Sequence, residues 1–123
     1  MTRLPGDADT IRGMVPAARD AWREIADNVL RTGIVDQGLK ELCFRHLAGD
    51  PDTMDHGRFG PREGTALRWA DAIAHDSGRA DDALWTLLHA HFSEPELVDL
   101  GCAIGFELGQ QHWRRTLGLP ARD

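Results

Sequence analysis

The chain has 123 residues, 14 basic against 20 acidic, and a formal net charge of −6. That length suits one domain, and the acidic balance lacks the basic surface that general nucleic-acid binding needs. No apolar run reaches the length of a membrane span. The polar opening MTRLPGDADT lacks the apolar centre of a signal peptide, so the two cysteines read as reduced thiols in a cytoplasmic protein.

Residues 1–13 carry Pro, Gly and Asp with little periodicity and are expected to form an arm, with a single helical domain over 14–120. In VPAARDAWREIADNVLRTG the apolar residues Val15, Ala18, Trp22, Ile25, Ala26, Val29 and Leu30 mark a helical stripe that Gly33 ends. Asp36 suits an N-cap, and Leu39, Leu42, Cys43, His46 and Leu47 predict one face of a second helix. Gly49 and Pro51 stop it, and the polar run to Gly60 reads as a loop.

Pro61 suits the first position of a third helix, where its missing N–H costs nothing. Ala66, Leu67, Ala70, Ile73 and Ala74 form that helix's expected stripe. HDSGRADD breaks it, and Asp81 or Asp82 should cap a fourth helix through Trp85, Leu88 and Phe92. Ser93 with Glu96 spells a capping box that opens the last helix, which should run to Gly118. No alternating strand pattern occurs. The predicted fold is all-α, with about five to six helices and short connections.

The last helix carries Gly101, Gly105 and Gly109 at four-residue spacing. Each glycine costs about 1 kcal/mol in a helix interior, so the stripe predicts a second helix backbone in close approach, within the chain or from another subunit. It is not a phosphate loop, since no strand precedes it and the spacing differs. Leu97, Leu100, Ile104 and Leu108 form one apolar face, and Cys102, Phe106 and Trp113 another. Such a helix is expected to be central. Glu107, set between the faces, is then expected to be partly desolvated with a raised pKa, or else paired with Arg114 or a neighbouring subunit.

The segments LKEL, PREGTALRWADAI and LHAHFSEPELVDLGCAIGFELGQQHWRRTLG resemble the carboxymuconolactone decarboxylase and alkylhydroperoxidase-D-like superfamily over about residues 30–119. The resemblance implies that superfamily's helical fold and a homo-oligomer, trimer or hexamer. Its peroxidase-like members carry E-x11-C-x2-C-x3-H, in which a thiolate attacks, a second cysteine resolves, and Glu and His relay protons. Glu41 matches the glutamate. Counted without gaps, the cysteine positions fall on Thr53 and His56 and the histidine position on Gly60, so a CxxC-dependent peroxidase is not expected. The segment is also shortened, as if the redox helix were missing.

ELCFRHLAGDPDTMDH, residues 41–56, stands where that redox helix would be. The preferred reading is cofactor-free acid–base chemistry on a small organic acid or lactone. Glu41 is the candidate base, with His46, His56, Glu107 and His112 as possible helpers. Residual redox chemistry through Cys43, supported by His46 one turn away and Cys102 as a resolving thiol, is an alternative. A metal site drawing on Cys43, His46, Asp50, Asp52, Asp55 and His56 is weighed and not adopted, because the loop has no recognised ligand spacing. The last alternative is a non-catalytic oligomeric binding or scaffold protein, with Trp22, Trp69, Trp85 and Trp113 lining a pocket or simply filling the core.

Overall fold

The computed structural model describes residues 3–123. Among them the only regular elements are helices: α1 (Ala8–Arg12), α2 (Pro16–Ile25), α3 (Gln37–Leu47), α4 (Pro61–His75), α5 (Asp82–His91) and α6 (Glu94–Thr116). The all-α expectation holds, and no described helix is long and apolar enough to cross a membrane.

The helix starts are set by local chemistry that the sequence displays. The Asp36 side chain accepts from Leu39 N–H, Asp81 does the same for Leu84, and Pro61 opens α4. Ser93 and Glu96 form a reciprocal capping box at the head of α6, and each cap satisfies amides that the first turn leaves unpaired. The loop between α3 and α4 is two 3-10 turns, Pro51–Thr53 and His56–Arg58, closed by Asp50 and Asp55 side chains. The stretch after α2 widens into a π turn over Ala26–Leu30.

Two clusters make the core. The larger gathers Leu39, Leu42 and Cys43 of α3, Leu67 and Trp69 of α4, Leu84 and Leu88 of α5, and Leu100 and Ile104 of α6. The smaller places Ala26 and Leu30 against Phe44 and Ala103, with Trp22, Ile25 and Val29 at its margin. Burial of each large apolar side chain contributes roughly 1.5–3 kcal/mol, so the register of α3 and α6 holds both clusters together.

Three expectations are corrected. Residues 3–13 are not simply an arm: α1 buries Ala8 and Ile11, and Arg12 reaches Gln110 of α6; Met1 and Thr2 lie outside the described residues. Val15 and Ala18 are exposed, so the buried part of the first stripe begins only near Trp22. The third correction is on α6, where Cys102 and Phe106 face outward and the helix covers the core on one side only.

The glycine stripe divides accordingly. A methyl group on Gly101 would stand 2.7 Å from the Trp69 ring, so the close neighbour is a side chain rather than a helix backbone. Beyond their own helix backbone, Gly105 and Gly109 have open space where a Cβ would stand, with no described atom within 4 Å. Gly101→Ala should therefore destabilise the chain by about 1–3 kcal/mol through overpacking. Gly105→Ala should stabilise the isolated chain by about 0.5–1 kcal/mol, since a helix interior gains by losing glycine. Urea unfolding of the two variants checks the opposite signs, and a shared sign would refute this account of the stripe.

Candidate functional site

The C-terminal turn builds the first site. After α6 the chain reverses at Gly118, whose φ of +75° favours glycine. Arg114 holds the returning segment, donating to the Ala121 carbonyl at 3.4 Å and pairing with Asp123 at 2.6 Å. Arg122 thereby lies between two carboxylates from different helices. Its Nη2 is 2.8 Å from Glu41 Oε2 on α3, and its Nε is 3.8 Å from Glu107 Oε2 on α6.

These groups line a cleft of about 260 Å³, at the small end of the roughly 300–1,000 Å³ usual for ligand pockets. Phe44, Trp22 and Leu30 supply apolar wall, and Arg12, Arg31, Arg114 and Arg122 concentrate four guanidinium groups in a chain that is acidic overall. Glu107 is almost fully buried, and its carboxyl is raised above the usual 4.5. Burial is the main cause, Glu41's charge adds to it, and Arg122, a 3.4 Å hydrogen bond from Gln111 and Arg114 oppose it. Glu41 is half-buried and also accepts from Gln37 Nε2 at 3.4 Å.

Arg12 differs from its neighbours. Its guanidinium lies over the Trp22 ring at 4.5 Å and the Trp113 ring at 5.0 Å, and donates twice to the neutral Gln110 amide. Among the described residues it has no carboxylate within ion-pair distance; burial first and the charge of Arg114 second lower its pKa, while the more distant charges of Asp9, Asp123 and Glu107 oppose them. A fixed, aromatic-clamped cation with no carboxylate in direct contact is suited to receive one from solution.

The three histidines named with Glu41 stand elsewhere. His46 on α3 points into α4, where its Nε2 is 2.7 Å from Asp71 Oδ1. His56, in the second 3-10 turn, is 3.3 Å from Asp71 Oδ2, and the two rings meet edge to face at 5.1 Å. Asp71 carries no spacing signal relative to either histidine and was missed. Asp50, Asp52 and Asp55 do not join this group: Asp50 and Asp55 close turns through Asp52 N–H and Gly57 N–H. His112 is exposed on α6 and does not line the cleft.

Cys43 is fully buried, and its thiol is pushed up to about 12 by burial first and Asp71's charge second. A thiol in that state is a small hydrophobe rather than a nucleophile. Cys102 is exposed on the outer side of α6, and the two cysteines are not bonded. Both observations weigh against the redox alternative.

Compared with protein-family models, with curated proteins and with solved structures, the chain matches none.

Proposed function

We propose that the cleft between α3, α6 and the returning C-terminal segment binds a small organic anion and transfers protons on it without a cofactor. The single observation that carries this reading is the meeting of Glu41 and Glu107 beside Arg12, whose guanidinium bonds only the neutral Gln110 amide. Arg12, backed by Arg114, receives the ligand's carboxylate. Glu107, whose burial favours the protonated form, is the proton donor, and Glu41 is the base, released when the ligand draws Arg122 away. Two carboxyl groups in unlike surroundings are the usual way to run acid and base steps in one site. The resemblance to carboxymuconolactone decarboxylase-like proteins supports decarboxylation, isomerisation or lactone hydrolysis as the reaction type, and the burial of Cys43 fits a member without peroxidase chemistry.

A thermal-shift screen of small carboxylic acids and lactones tests it. At least one acid should raise the melting temperature of the wild type and not of Arg12→Gln, and its turnover should vanish in Glu41→Gln. Absence of any Arg12-dependent binder would overturn the proposal. Binding without turnover would instead favour the alternative of a non-catalytic binding protein.

Assembly into a homo-oligomer belongs to the same reading. Val98, Cys102 and Phe106 are exposed at four-residue spacing on α6, alongside Gly105 and Gly109. A second copy laid there would cover the apolar row. In that case Gly105→Ala, stabilising for one chain, would weaken association measured by native mass spectrometry.

A further inference from the structure

We infer that His46, His56 and Asp71 form a binding site for one divalent first-row transition-metal ion, independent of the acid–base cleft. His46 Nε2 and Asp71 Oδ1 are 2.7 Å apart, His56 Nε2 and Asp71 Oδ2 are 3.3 Å apart, and one ligand atom from each residue fits within a 4.8 Å group. Donors bound about 2.0–2.1 Å from a tetrahedral ion sit roughly 3.3 Å from one another, so the three need only small side-chain rotations to share one.

The surroundings of His46 fit this role. Thr53 Oγ1, itself 2.7 Å from the Asp50 carbonyl, lies 2.9 Å from His46 Nδ1 and holds the ring in place. Nε2 is thereby the nitrogen aimed at the cluster. That is the arrangement by which metal-binding histidines are usually oriented, with the far ring nitrogen tied to a second group. It also sets Nε2 2.7 Å from an Asp71 carboxylate oxygen, so both atoms face the place an ion would occupy.

Burial defines what the site leaves open. The His46 side chain is 4% exposed, whereas His56 and Asp71 are 26% and 29% exposed. The ion would be anchored from within by α3, gripped by α4, and covered by the 3-10 turn that carries His56. Three protein ligands with one side toward water leave a coordination position for solvent or substrate. Two imidazoles and a carboxylate suit zinc, cobalt(II) or iron(II), and are a poor set for calcium or magnesium.

The test is titration of chelator-treated, reduced protein with cobalt(II) chloride, followed by displacement with zinc(II). Saturation of visible cobalt absorption at one equivalent is expected, with zinc displacing it and raising the melting temperature. His56→Ala, at a half-exposed turn, should keep its helicity and lose about 100-fold or more in affinity, and Asp71→Asn should lose a similar factor. Cys102→Ser should bind as the wild type does. No saturable absorption would overturn the site, as would undiminished binding in either ligand variant or loss of binding in Cys102→Ser.

Discussion

Lys40→Met should cost about 3–5 kcal/mol of folding stability, the range for removing one partner of a buried ion pair, and a large share of the ~5–15 kcal/mol that holds a domain folded. The Lys40 side chain is fully buried on α3, and its ammonium spends all three hydrogens inside the protein: on the Val29 and Thr32 carbonyls at 2.8 and 2.9 Å and on Asp99 Oδ1 at 2.8 Å. Asp99 on α6 in turn accepts from the Ile34 and Val35 amides at 3.0 and 2.8 Å. The pair thus ties α3, α6 and the link from α2 into one knot. Gly33 passes so close that a Cβ there would be 2.6 Å from Lys40 Nζ, with φ at +142°. Removing the lysine leaves Asp99 charged and under-satisfied and orphans two carbonyls.

The double variant Lys40→Met, Asp99→Leu should lose less than the sum of the single changes, because the uncompensated charge goes with the partner. Urea unfolding measures both, and a single-variant loss below about 1 kcal/mol would refute the role given to the knot. The pH dependence has a definite sign. Burial alone would raise the Asp99 carboxyl, but the hydrogen bond and charge of Lys40 and the two amides outweigh it and hold the pKa below 3.8. The stabilisation is therefore complete above pH 3.8 and is lost as pH falls through the lower folded value.

The second large effect is on chemistry. With a substrate in hand, Glu107→Gln should lower turnover by about 100- to 10,000-fold, the usual contribution of a positioned proton donor, while making the protein more stable at neutral pH. The two changes share one cause. Glu107 is raised above 4.5 chiefly by burial, so folding favours its protonated form. Stability is lost as pH rises from 4.5 through the higher folded value, and glutamine escapes that loss while still accepting from Gln111. The stability gap between variant and wild type should widen with pH up to that value. A variant that is both active and no more stable at pH 8 than at pH 4 would refute both the assignment and the linkage.

Caps and stripes made most of the fold legible. Asp36, Pro61, Asp81 and the Ser93–Glu96 box act within three or four residues, so their chemistry is visible in the chain itself. Glu41 and Glu107 were equally visible, as carboxylates set among apolar helical positions. Their meeting was not, because it depends on Arg122, which is 81 residues from Glu41 and arrives only when the chain turns back at Gly118. Lys40 sits beside Leu39 and Leu42 and looks like an ordinary solvated lysine. Only the convergence of Val29, Thr32 and Asp99 makes its burial tolerable. Asp71 was hidden for the same reason, since its partners come from α3 and the loop. The short helix α1 was lost because five residues carry too little periodicity to stand out.

Lys40 is the only lysine in the chain, and it is fully sealed. The folded surface accordingly offers no side-chain amine: reagents and enzymes that acylate, methylate or conjugate lysine have nothing to grip until the α3–α6 knot opens. A lysine-specific protease meets a single bond, Lys40–Glu41, in the middle of a packed helix. Cleavage there, or a tag on that amine, would record the moment the whole core comes apart, so the molecule carries its own one-residue gauge of global unfolding.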